Sequence, residues 1–273
     1  MCRLFIYCGN SILLKKILYN EKHSIFKQSY HKKFTPLLKE LNIRDHELNI
    51  DGFGVSWYNK NNNNKNKNKN NNPCLYSSLK TPWCDDNLKR LCNILESSLI
   101  FAHVRGIKPF SSNYLVHEYN CHPFIYKNYS FMHNGDISNF NSMKKDIINK
   151  LNDNIFQLIK GNTDSEYIFA LIINELEINN NKDYIIIIKK IIKYLISFKN
   201  TMSLNLAFTD GETIICTRYI NSNLEEPPSI YYKKSNDNII ISSEPIDYKD
   251  DWILIDKNSI LIYKNNNIII NKI

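Results

Sequence analysis

Apolar residues recur along this chain in two rhythms, and the order of those rhythms predicts the layout of the fold. Residues 2–7 and 53–58 read as short extended runs, the second opened by Asp51-Gly52-Phe53-Gly54. Successive side chains of a strand point to opposite faces, so runs of this kind suit a sheet buried on one or both sides. Residues 99–104 and 130–133 look extended as well, the latter stopped by Asn134-Gly135, a strong turn signal. Helical spacing marks residues 12–19 and 86–95, and Ser138 is placed to cap a helix running towards Leu151. Thr163-x-x-Glu166 has the form of a capping box for a further helix that includes Ile168, Leu171 and Ile172. Residues 182–198 leave helix and strand both open, because β-branched Ile dominates them. Beyond Ser203 the short apolar runs at 204–208, 213–218, 230–233, 239–242, 252–255, 260–263 and 268–270 read as strands. The order is strands, helices, then strands, which predicts an α+β layered domain in place of an alternating parallel α/β fold.

Composition adds bounds to this layout. With 273 residues and 43% apolar content the chain can bury a substantial core. Residues 59–72 are almost wholly Asn and Lys; they have nothing apolar to offset the entropy of ordering, and are expected to form a disordered strand-to-strand insertion within one domain spanning residues 2–273. The net charge of +8 is spread over an Asn- and Ile-rich background without arginine and aromatic clusters, which argues against specific nucleic-acid binding. No signal peptide is expected, since Arg3 interrupts the start at once. The most apolar stretch, residues 184–198, is too short and too lysine-rich to span a membrane. Seven cysteines without paired spacing suggest neither a disulfide framework nor a zinc ribbon, and fit a reducing, cytoplasmic setting.

The candidate chemistry begins at Cys2. Once an initiator Met is removed, its thiol and a free α-amino group of pKa roughly 7.7–8.0 share one carbon, a nucleophile and a base in one residue. Taken alone, a second-position Cys is better explained as a small buried hydrophobe than as a nucleophile. Arg105 closes a predicted strand, where its guanidinium can grip a carboxylate through two parallel hydrogen bonds. Asn134 and Gly135 offer an amide side chain and a backbone N–H, two donors suited to a developing oxyanion. Asp164 lies in the first turn of a predicted helix. Each has a plainer reading: a surface ion pair for Arg105, a hairpin turn for Asn134-Gly135, a partner of the helix dipole for Asp164. His103, His122 and His133 lack the i, i+4 spacing of a helical metal site.

In combination these segments resemble, in sequence and in order, the class II glutamine amidotransferases, whose nucleophile is the N-terminal residue. The resemblance is carried by Met1-Cys-Arg-Leu-Phe5, Asp51-Gly-Phe-Gly-Val55, His103-Val-Arg105, Asn120-x-His-Pro-Phe124, His133-Asn-Gly135 and Thr163-Asp-x-Glu166, with Ser242-Ser-Glu-Pro245 extending it more weakly. It is nearest to the short stand-alone branch that includes the amidotransferase-like subunit of glutathione breakdown and the amidase of ergothioneine synthesis. The resemblance implies a four-layer αββα sandwich of the N-terminal-nucleophile hydrolase type. It implies that Cys2 attacks the amide carbonyl of glutamine or a γ-glutamyl compound, forming a thioester that water hydrolyses to glutamate. Asn134 and Gly135 would form the oxyanion hole, and Arg105 and Asp164 would bind the substrate α-carboxylate and α-ammonium. No cofactor or metal is implied, and the three histidines are scaffold. The residues after Arg105, Gly106-Ile107-Lys108, depart from the aromatic and Thr-His of the large synthases. No synthase domain is recognisable, so any ammonia channel or acceptor site would lie on a partner hydrolase or synthase subunit, or would not exist. The alternative is a subunit of this fold that acts only in complex with such a partner.

Overall fold

The computed structural model describes residues 2–31, 48–59, 71–106, 116–179 and 183–273. In chain order, β1 (Arg3–Leu13) leads through a π-helical turn (Lys16–Asn20) to α1 (Ile25–Gln28), and β2 (Phe53–Tyr58), β3 (Cys74–Ser78), α2 (Asp86–Cys92) and β4 (Glu96–Val104) follow. Next come β5 (Phe124–Tyr126), β6 (Tyr129–Ile137) and the helices α3 (Lys144–Lys150), α4 (Asp153–Phe156), α5 (Asp164–Ile178) and α6 (Tyr184–Ile196). The remainder is β7 (Met202–Thr209), β8 (Ile214–Arg218), β9 (Tyr231–Lys234), β10 (Ile239–Ser242), β11 (Ile253–Leu254), β12 (Ser259–Lys264) and β13 (Asn267–Lys272).

The strands form two antiparallel sheets, ordered β11-β9-β10-β1-β4-β2-β3 and β13-β12-β8-β7-β6-β5. Three apolar clusters separate four layers. Leu4, Ile6, Leu99 and Phe101 of the first sheet meet Met132, Ala207, Cys216 and Leu261 of the second, so these side chains fill the space between the sheets. The alternate residues Phe5, Val55, Ile100 and Ala102 turn outward under Ile17, Leu18, Phe26 and Leu88. On the far side Phe131, Leu204, Leu206 and Phe208 pack beneath Ile168, Leu171, Ile172 and Ile191. Both sheets are therefore covered on both faces, which explains why so many of their strands read as continuous apolar runs. Each fully buried Leu, Ile or Phe contributes roughly 1.5–3 kcal/mol, and the expected αββα sandwich is the architecture found.

In four places the structure corrects the sequence reading or decides what it left open. Residues 12–19 do not form one helix: β1 continues to Leu13, where Leu13 still pairs with Glu96, and only a π-helical turn follows. Ser138 caps nothing; a 3₁₀ turn at Phe140–Ser142 intervenes and α3 starts at Lys144. The stretch left open between helix and strand is α6, capped by the Asp183 carboxylate, which accepts from Ile185 and Ile186 N–H. The fourth is Asn134-Gly135, which turns nothing. It runs through the middle of β6, opposite Asn205 and Leu204 of β7. The insertion reading of residues 59–72 fits the direct antiparallel pairing of β2 with β3, from Phe53 opposite Ser78 to Trp57 opposite Cys74; residues 60–70 themselves lie outside the described residues. Among the described residues no helix is long and apolar enough to cross a membrane.

Candidate active site

Strand alternation puts the predicted chemistry on converging surfaces. Leu4 and Ile6 point between the sheets, and Cys2 continues that face by the two-residue period. The half-buried Cys2 thiol meets the start of the segment after β4: Gly106 N–H donates to Sγ at 3.4 Å, and Sγ lies 3.7 Å from the Gly106 carbonyl oxygen. Arg105, next to Gly106, is 5% exposed. Its backbone is tied at both ends, its N–H donating to the Gly52 carbonyl at 2.8 Å and its carbonyl accepting from Asp51 N–H at 3.2 Å. The Asp51-Gly-Phe-Gly segment thus fixes where β4 delivers its arginine.

The second sheet supplies the facing groups. Met132 points between the sheets and Phe131 toward the helices, so Asn134 shares the inter-sheet side with Cys2. Its side chain is 1% exposed, and neither its Nδ2 nor its Oδ1 has a hydrogen-bond partner. A buried amide without partners costs on the order of 1–3 kcal/mol, and native interiors rarely leave one unpaired. Two residues either side of Gly135, the His133 carbonyl accepts from His103 Nε2 at 3.2 Å and Ile137 N–H donates to Asp164 Oδ2 at 2.9 Å. Leu204 and Leu206, opposite Gly135 and His133, send their N–H groups to Tyr219 O and Thr217 Oγ1 on the other side of β7. Antiparallel ladders alternate the direction of their backbone groups, so the Gly135 N–H faces the same open edge of β6 as Ile137 N–H. A Cβ at 135 would collide with the Ser203 carbonyl; close approach to β7, not a turn, is what requires glycine here.

Asp164 opens α5 and is 4% exposed. Its Oδ1 accepts from Ser165 N–H at 2.7 Å and Ser165 Oγ at 3.1 Å. Burial pushes its carboxyl above the usual carboxylate range, and the neighbouring Asp136 adds to the push while His133 and the two N–H donors oppose it. The His133 ring braces this helix start, with Nδ1 2.9 Å from Ser165 Oγ and Nε2 3.0 Å from the Ser203 carbonyl. The capping box is not formed: Thr163 is the N-cap residue but its side chain makes no cap bond. Glu166 instead accepts from Lys160 and Gly161 N–H, both at 2.7 Å, and so shapes the loop leading into Asp164.

Strand alternation thus assigns Cys2, Arg105 and Asn134 to the inter-sheet side, with the Gly135 N–H on the open edge of β6 and Asp164 docked on β6 three residues past Asn134. His103 and His122 are buried side by side, ring centroids 4.3 Å apart. Desolvation pushes His103 down to about 3 and His122 well below its ordinary value, so burial disfavours the imidazolium form of both. One group was given no function by the sequence reading. Glu244, fully buried, pairs with Arg3 Nη2 at 3.1 Å and His23 Nε2 at 2.9 Å. The signal for it lay in Ser242-Ser-Glu-Pro245, which sets an acid two residues past the end of the Ile-rich strand β10.

Comparison with known proteins shows what the chain is similar to in sequence and fold. The family model for class II glutamine amidotransferases matches residues 33–228. The probable glutamine amidotransferase DUG3 of Saccharomyces cerevisiae is 30% identical over 315 aligned positions, spanning 100% of this chain and 84% of the yeast protein. Among solved structures, a glutamine aminotransferase class-II domain protein from Silicibacter pomeroyi superposes with a TM-score of 0.69 at 25% identity, covering 99% of both chains. The glutamine phosphoribosylpyrophosphate amidotransferase of Bacillus subtilis superposes with a TM-score of 0.60 over 99% of this chain and 49% of that one; at 13% identity it speaks for the fold alone.

Proposed function

The chain belongs to the class II glutamine amidotransferase family, and from that premise we propose that it hydrolyses the side-chain amide of glutamine or of a γ-glutamyl compound with Cys2 as nucleophile. After removal of Met1, the α-amino group of Cys2 takes the thiol proton as sulfur attacks the amide carbon. The proton passes to the departing nitrogen, ammonia or an amine leaves, and water cleaves the thioester to release glutamate. Asn134 Nδ2 and Gly135 N–H donate to the tetrahedral oxyanion in both halves of the reaction. Arg105 pairs with the substrate α-carboxylate and Asp164 with its α-ammonium. A zwitterionic head needs one fixed cation and one fixed anion, and losing either would cost on the order of 2–5 kcal/mol of binding.

The observation that carries this reading is the Asn134 side chain, buried without a partner on the face that Cys2 shares. Such an amide is tolerated where a ligand oxygen completes it. Purified protein lacking Met1 is expected to release glutamate from glutamine or a γ-glutamyl peptide, and Cys2→Ala to abolish this while remaining folded. Equal activity in that variant would refute the mechanism. Turnover that arises only on adding a co-purifying hydrolase or synthase would assign the chain as the amidotransferase subunit of a complex.

A further inference from the structure

Residue 2 needs more restraint than its strand provides. The β1–β4 ladder begins at Arg3 opposite Val104, and the β1–β10 ladder only at Phe5 opposite Ser242. A chain terminus beyond the last ladder pair frays unless it is tied down. Gly106 N–H meets the Cys2 thiol, and the tie on the Cys2 backbone carbonyl comes from an assembly on the opposite side of the sheet. Arg3 alternates with Cys2 and points to the outer face, where its Nη2 lies 3.1 Å from Glu244 Oε1, while its Nη1 reaches back to donate to the Cys2 carbonyl at 3.1 Å. The other Glu244 oxygen meets His23 Nε2 at 2.9 Å. Arg3, His23 and Glu244 are each no more than 1% exposed.

The segment bearing Glu244 is itself clamped to the start of the chain. Ser243 Oγ accepts from Leu4 N–H at 2.9 Å and Ser243 N–H donates to the Leu4 carbonyl at 3.0 Å. Gln28 Nε2 donates to the Glu244 and His23 carbonyls, both at 3.0 Å, and His23 N–H donates to the Ile246 carbonyl at 2.8 Å. Burying this charge is a poor route to stability, since desolvating an ion pair offsets most of its attraction and apolar packing would serve as well. What an apolar side chain at position 3 cannot do is hold the carbonyl of residue 2.

We propose that Glu244 is a positioning residue for the nucleophile: through Arg3 it fixes the peptide plane of residue 2, and with it the direction in which the Cys2 thiol and α-amine face Asn134. This rests on the reading of Cys2 as nucleophile. A misplacement of about 1 Å at a reacting group can cost on the order of a hundredfold in rate, so a loosened terminus should lower turnover more than substrate binding, because Arg105 and Asp164 bind the substrate head independently of Arg3.

The test compares wild type, Glu244→Gln, Arg3→Lys and Cys2→Ala, all with Met1 removed. The readouts are thermal unfolding, kcat and KM for glutamate release, and the rate at which a glutamine-mimicking diazoketone labels Cys2, followed by intact mass. Glu244→Gln keeps the shape and loses the charge; kcat and labelling rate are expected to fall ten- to a hundredfold together, with KM within about threefold of wild type. Arg3→Lys keeps the charge but not the two-ended reach, and is expected to show the same split. It serves as the measurement if Glu244→Gln does not fold. Wild-type kcat and labelling in the folded variants, or a loss confined to thermal stability, would overturn the proposal. Activity surviving in Cys2→Ala would instead overturn the nucleophile reading on which it rests.

Discussion

At the scale of single residues, the most informative side chain is one that makes no bond. Asn134 is fully enclosed with both polar atoms unpartnered, whereas Asp164 satisfies each of its oxygens on backbone or hydroxyl donors. The asymmetry separates a group held in reserve from one already fixed in place. Asn134→Ala is therefore expected to lower kcat/KM by about 10²–10³. Its stability in denaturant should equal or exceed that of wild type, because the substitution also removes an unsatisfied buried amide. A variant that loses stability by more than about 1 kcal/mol, with activity following the folded fraction, would show that the amide serves the fold. Candidate residues at this scale were legible in the sequence: Cys2, Arg105, Asn134, Gly135 and Asp164 could all be nominated from short motifs. Orientation was not, because it depends on which backbone groups the neighbouring strand leaves free.

At the scale of elements, the two-residue and helical periods placed β2 and β10 and the start of α5 well, since each is an apolar run closed by polar residues. The reading went astray where a local signal met a tertiary demand. Asn134-Gly135 has the chemistry of a tight turn, yet pairing with β7 along eight residues holds it extended, and the glycine answers to the Ser203 carbonyl. Thr163 and Glu166 marked the helix start correctly, but Glu166 is drawn to the 160–161 backbone, a partner the spacing could not reveal. The Asp51-Gly-Phe-Gly motif repays the same treatment. A Cβ on Gly54 would strike the His122 carbonyl and lie 3.3 Å from Pro123 Cδ, so the 120–123 segment rests directly on β2. Gly54→Ala is expected to destabilise the protein by about 1–3 kcal/mol, as overpacking does, read as a lowered midpoint in urea. An unchanged midpoint would mean that the segment can lift off β2 without cost.

At the scale of the whole molecule, packing two sheets face to face around a polar site places imidazoles where charge is not tolerated. His103 is pushed down to about 3 and His122 well below its ordinary value, in both cases chiefly by burial. His122 has no partner on either ring nitrogen and is wedged against His103 and Phe124, with ring centroids 4.3 and 4.6 Å away. An unfolded chain takes up protons on these histidines near pH 6.5, while the native state refuses them until far lower pH. Between those limits the unfolded state binds more protons, so their contribution to stability is intact above pH 6.5 and is lost as the pH falls. Asp164 and Glu166, whose carboxyls burial pushes up, act in the opposite sense between pH about 4 and their native values. The histidine effect is isolated by comparison with His122→Phe, which keeps the ring contacts and removes one titrating group. From pH 6 to pH 5 the variant should lose less stability than wild type, the two slopes differing by up to one proton, about 1.4 kcal/mol per pH unit. Urea unfolding across that range measures the difference directly. Parallel profiles would mean that His122 is protonated as readily inside the fold as outside it, and that water reaches the space between the sheets.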